Sequence, residues 1–123
     1  MLALLDEQDV RTALRRCLLA CPNHDRALAS LGYDLIGGSD DDAAEAETLL
    51  RRAIALRPER GRARANLALL LRTLGRIEES DALYVELAAM FPDEALSQYD
   101  AGTALQQSGR YQDAQPHLDA AVE

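Results

Sequence analysis

Lysine is absent from this chain of 123 residues: all 13 basic residues are arginine, set against 21 acidic ones, for a net charge of −8. Tryptophan is absent too, phenylalanine occurs once, and aromatics total 4%. β-Branched residues are scarce, whereas Ala and Leu supply 22 residues each. A chain so rich in helix formers and so poor in strand formers argues strongly against an all-β fold. The acidic balance argues against a nucleic-acid backbone or an anionic membrane as the main partner, because either would repel it. Two cysteines are too few for a disulfide framework, and nothing marks an oxidising compartment. The opening Met1-Leu2-Ala3-Leu4-Leu5 is apolar but short, lacks a basic flank and runs straight into Asp6 and Glu7. It suits neither a signal peptide nor a membrane span, so a cytoplasmic protein is the expectation. At this length one domain is expected, able to bury roughly two thirds of its unfolded surface.

What is present is a repeat. Leu19-Ala20-Cys21-Pro22, Ala55-Leu56-Arg57-Pro58 and Ala89-Met90-Phe91-Pro92 each close a helical stretch, at spacings of 36 and 34 residues. Proline cannot continue a helix and turns the residue before it away from helical geometry, so the three are stop signals in register. Two helices fit between successive stops. After Pro58 they run from Arg62 to Leu74, closed by Gly75, and from Ile77 to Met90, where Glu78, Glu79 and Asp81 suit a helix N-terminus. After Pro92 they run from Ala95 to Ser108, followed by Gly109, and from Tyr111 to Val122. After Pro22 they run from about Asp25 to Ile36 and from Asp42 to Leu56, split by Gly37-Gly38-Ser39-Asp40. Helix–turn–helix at this period is a solenoid signature.

The residues resemble the tetratricopeptide repeat (TPR). With Gly61 at position 1, Leu67 falls at 7, Ala68 at 8, Leu71 at 11, Ser80 at 20, Tyr84 at 24 and Pro92 at 32. With Ala95 at position 1, Gly102 falls at 8, Leu105 at 11, Ala114 at 20, Leu118 at 24 and Ala121 at 27. Leu31, Gly32 and Leu35 match positions 7, 8 and 11 of a repeat starting at Asp25. Its Ala46, Leu50, Ala53 and Pro58 match the later positions once two extra residues are allowed in the intervening loop. Residues 1–24 resemble the back half of a further repeat, with Val10, Leu14, Cys17 and Pro22 in the late positions. The resemblance implies an all-α, right-handed α-solenoid of about three and a half TPR units and roughly seven helices. Its parts would be a partial repeat 1–24 and repeats 25–60, 61–94 and 95–123. A small residue at 8 against a small one at 20 lets paired helices approach within about 8–10 Å. The sequence departs from the pattern at position 4, which holds Leu28, Arg64 and Gln98, and at Leu87, which stands where Ala is usual. Ala101 stands where Leu is usual in the next helix, a large-for-small exchange that would compensate Leu87. Pro116 lies near enough to its helix start to cause a kink at most.

Chemistry-bearing clusters all read as structural. Cys17 and Cys21 lie one helical turn apart, but with His24 they fall short of the four ligands a zinc site needs, and Cys17 takes a small buried position. Asp40-Asp41-Asp42 lacks calcium-loop spacing and suits the start of a helix, as caps opposing its positive end. Gly37-Gly38-Ser39 lacks the ending of a phosphate loop. Two distant histidines assemble no nucleophile–base pair. Neither enzyme activity, a metal nor a cofactor is expected.

In the TPR family the concave groove is lined by positions 2, 5, 9, 12 and 13 of each first helix, with position 6 beside it. The resemblance therefore points to Arg26, Tyr33, Arg62, Asn66, Leu69, Arg72, Tyr99, Thr103 and Gln106 as the peptide-binding groove. Arg, Tyr and Asn carry binding energy at interfaces, and the grouping of Arg62, Arg64 and Arg72 would attract an acidic peptide. Asn66 matches one place of the family's chaperone-carboxylate clamp, but Ala29, Tyr33, Leu96 and Asp100 around it do not. A non-catalytic scaffold binding a partner protein or peptide is expected. The alternatives are a TPR module of a larger enzyme or regulator, such as one fused to a transferase, or a homodimer formed through the C-terminal helix.

Overall fold

The computed structural model describes residues 7–123, so the first six, including the apolar Met1–Leu5 stretch, lie outside the described residues. Among the described residues there are seven helices and no strand. They are α1 (Glu7–Ala20), α2 (Asp25–Asp34), α3 (Asp40–Leu56), α4 (Arg62–Thr73), α5 (Ile77–Met90), α6 (Ala95–Gln107) and α7 (Tyr111–Val122). The chain forms two compact units, one ending at Asn66 and the other running from Leu67 to Glu123.

In the first unit α1 lies against α2 and α2 against α3. Leu28, Leu31, Leu35, Ala46, Leu50 and Ala53 are buried between the helices. The α2–α3 contact is closest at Gly32, where a Cβ would come within 2.6 Å of Leu50 Cγ. The aspartates at the start of α3 lie in its first turn, and Asp42 shares in the cap, but none of them is the N-cap residue itself. Ser39 is the cap: its Oγ accepts the Asp42 N–H, and the Asp42 carboxylate accepts the Ser39 N–H in return. A hydroxyl one residue before the helix reaches the third amide better than a carboxylate already inside it. His24 is a cap as well, its Nδ1 accepting the Ala27 N–H at 3.1 Å. Arg15 holds α1 to α3 through Glu45, and this hydrogen-bonded guanidinium keeps the Glu45 carboxyl below its ordinary range.

In the second unit α5 lies against α6 and α6 against α7. Leu67, Leu71, Leu87, Ala101, Ala104, Leu105 and Ala114 are buried. Leu87 and Ala101, the two residues that exchange large for small, are 6% and 0% exposed, so both belong to the core. Gly102 repeats the close approach of Gly32, with its Cβ position 2.6 Å from Leu118 Cγ. Gly75 and Gly109 end the first helix of each pair at φ +79° and +81°. In both turns the following arginine N–H reaches back to a leucine carbonyl, Arg76 to Leu71 and Arg110 to Leu105. That reversal needs the left-handed backbone that glycine adopts at no steric cost. Pro116 sits in the second turn of α7, which continues to Val122.

Candidate functional site

The first unit carries a cleft of about 460 Å³ lined by Val10, Leu14, Ser30, Tyr33, Asp34, Arg62 and Asn66. Three elements build it. α1 supplies an apolar wall of Val10 and Leu14, α2 presents Ser30, Tyr33 and Asp34, and the first turns of α4 bring Arg62 and Asn66. The volume lies within the range of small-ligand and peptide-side-chain pockets.

Each polar group in the cleft has a distinct status. Asp34 is neutralised by Arg11, whose Nε donates to Oδ2 at 2.6 Å and whose Nη2 donates to the Asp34 carbonyl at 3.1 Å. Asn66 is anchored by its Nδ2, which donates to the Ala29 carbonyl at 3.3 Å and leaves its side-chain oxygen as an acceptor. Tyr33 is 56% exposed. Arg62 is exposed, and its side chain makes no hydrogen bond or ion pair among the described residues. Among the described residues the cleft therefore combines an apolar wall, a phenol, an amide acceptor and a guanidinium without an ion pair.

Of the residues anticipated from sequence in this unit, Tyr33, Arg62 and Asn66 come together, and Arg26 does not line the cleft. Arg26 and Tyr33 are seven residues apart on α2, about 10 Å along the axis. Val10, Leu14, Ser30 and Asp34 are lining residues that the groove expectation did not include. Ser30 occupies the flanking position 6, a usable signal. The capture of Asp34 by Arg11, 23 residues away, has no local signature.

In the second unit Leu69, Tyr99 and Gln106 are exposed and Thr103 is half-buried. Tyr99, Thr103 and Gln106 recur at i, i+4 and i+7 on α6 and so share one face. Arg72 does something other than expected. Its Nη2 donates to Oδ1 of Asp81 at 3.1 Å and to the Ala104 carbonyl at 3.1 Å, with Ser108 Oγ at 3.4 Å. Asp81 is 1% exposed, so Arg72 serves first as the counter-charge of a buried carboxylate. Arg64 is likewise bonded to the Pro58 carbonyl. The sequence grouping of three arginines is thus not a cluster of available charges. Burial, and secondarily Asp100, pushes the Tyr84 hydroxyl above its usual range, and burial with help from Glu94 raises the Asp100 carboxyl.

Cys17 and Cys21 are free thiols, and among the described residues no group of three or more His, Cys, Asp or Glu is placed to hold a metal ion. No helix among the described residues is long and apolar enough to cross a membrane.

Residues 61–94 match the family description "Tetratricopeptide repeat". The chain carries a tetratricopeptide repeat. Solved structures of MamA share its fold. MamA 41-end from Desulfovibrio magneticus RS-1 superposes with a TM-score of 0.80 at 20% identity, covering 95% of this chain and 65% of that one. Another MamA crystal structure gives 0.77 at 21% identity, covering 94% and 62%. MamA AMB-1 gives 0.69 at 23% identity, covering 90% and 60%. The chain spans about three fifths of the length of these MamA chains. Among curated proteins no sequence matches it. The matched repeat holds Arg62, Asn66, Leu69 and Arg72 on its first helix, α4.

Proposed function

We propose that this chain is a non-catalytic, cytoplasmic scaffold whose first-unit cleft binds a peptide segment of a partner protein. The observation that supports this best is the exposed guanidinium of Arg62 beside the apolar wall of Val10 and Leu14. Such a pair selects a segment that carries an acidic residue next to an apolar one. Tyr33 and the Asn66 oxygen add directional contacts, and a cleft built on rigid helices lowers the ordering cost of binding. Leu69, Tyr99, Thr103 and Gln106 are proposed as further contacts on the second unit, and Arg26 as a peripheral charge. Arg72 contributes by holding its unit together.

Self-association through α7 has less support. Leu118 is already seated against Gly102. The outward side of α7 carries Gln112, Gln115 and Asp119, with exposed Tyr111 and Val122 at its two ends.

The test is Arg62→Glu in a pull-down from native lysate, with Arg72 left intact so that stability does not confound the result. Loss of specific co-purifying proteins is expected. An unchanged set would remove the cleft from consideration.

A further inference from the structure

The wall of the cleft has the register of a helix that is waiting for a particular kind of neighbour. In the first unit the second helix of a pair presents Ala46, Leu50 and Ala53, and Leu50 is received by Gly32 of the first helix. In the second unit Ala114, Leu118 and Ala121 recur at the same spacing, and Leu118 is received by Gly102. Val10, Leu14 and Cys17 on α1 repeat that spacing of four and three, yet Val10 and Leu14 face the cleft. Among the described residues each first-type helix is engaged: α2 with α3, α6 with α7, and α4 with α5 through Ser80 Oγ, which donates to the Ala68 carbonyl at 2.7 Å.

We propose that the cleft is completed by one α-helix of a partner protein, with glycine or alanine opposite Leu14 and an acidic residue turned toward Arg62. This rests on the peptide-binding reading above and specifies the conformation and sequence of the segment bound. A helix is selected because Leu14 needs a small residue opposite it for close approach, as Leu50 and Leu118 have. A small residue on a helix with large neighbours one turn away provides that seat. An acidic flank is selected because Arg62 is an exposed guanidinium at the cleft with no ion pair among the described residues, and a carboxylate at the rim of the bound helix would pair with it. The folded chain offers no unengaged helix of this pattern among the described residues, which favours a different protein over a second copy.

The probe is a lactam-stapled helical peptide copying residues 25–36 with Arg26→Glu, titrated against the full chain by fluorescence anisotropy and methyl NMR. Two control peptides are used: the stapled peptide with Gly32→Leu, and an unstapled, proline-broken peptide of identical charge. Binding of the first peptide at least tenfold tighter than either control, with shifts at the Val10 and Leu14 methyls, is expected. Leu14→Ala in the protein should weaken it several-fold, and Arg62→Glu at least as much, with circular dichroism verifying that both variants fold. Equal affinity for the helical and broken peptides overturns the helix proposal and leaves the acidic-peptide reading standing. No binding of any peptide, with Arg62→Glu still abolishing capture of lysate proteins, likewise overturns the helix alone. A dimer in sedimentation whose formation protects Leu14 overturns it in favour of a second copy.

Discussion

Adding one methyl group at Gly32 sets two effects against each other. Replacing glycine by alanine inside a helix is favourable by roughly 1 kcal/mol because it restrains the unfolded chain. At this position the new Cβ would lie 2.6 Å from Leu50 Cγ and 2.8 Å from Cδ2, and Leu50 has no exposure through which to withdraw. Overfilling a closed core costs about 1–3 kcal/mol, so the steric term should prevail. Gly32→Ala is expected to lower the urea midpoint and to deprotect α2 amides in hydrogen exchange. Gly102→Ala meets Leu118 Cγ and Cδ2 at the same 2.6 Å and the Leu118 backbone nitrogen at 3.2 Å. The half-buried side chain can turn toward solvent, which leaves only the milder backbone contact, so its loss should be smaller. Equal losses at the two sites would show that relief by solvent access is unimportant here.

Arg72 acts on whole elements, because one guanidinium bonds α5 through Asp81 and α6 through Ala104 while sitting on α4. Removing it leaves the Asp81 side chain, only 2% exposed, without its counter-charge. Breaking a buried pair from one side costs several kcal/mol, whereas replacing both partners with apolar groups is often neutral. Arg72→Met is therefore expected to destabilise the second unit by about 3 kcal/mol, and Asp81→Leu added to it to recover most of that loss. A double variant no better than the single one, in thermal melts, would contradict the assignment. This clamp also marks the limit of what sequence discloses. The helices follow from proline stops, glycine ends and apolar spacing, because those signals act within one or two turns. Ser39, not the adjacent aspartates, caps α3 because the reach of a side chain depends on one residue of register. The arginines read alike in sequence and divide in three dimensions: Arg62 stays exposed, while Arg64 and Arg72 are captured by Pro58 and Asp81. Tyr33 and Asn66 were legible from position in the repeat. In sequence Val10 and Leu14 are late-position residues of a repeat, and their part in the cleft depends on which neighbour α1 has.

At the scale of the molecule, a net charge of −8 opposes the approach of the acidic segment that Arg62 would hold. The two effects act over different ranges. Repulsion from the summed charge extends over a Debye length, about 30 Å at 10 mM salt and about 10 Å at 100 mM. Attraction to Arg62 acts within contact distance and is screened far less once the side chains meet. Salt should therefore favour encounter without much weakening the complex, opposite to the usual behaviour of electrostatically steered pairs. For the acidic helical probe, the association rate constant is expected to rise a few-fold between 10 and 100 mM salt while the dissociation rate changes less than twofold. Arg62→Glu should then act mainly on dissociation, raising it about tenfold, because it removes the contact and changes a field already set by 21 acidic residues only slightly. Stopped-flow anisotropy separates the two rates. An association rate that falls with salt would mean that local positive potential dominates encounter, and that the acidic surface lies too far from the cleft to oppose it.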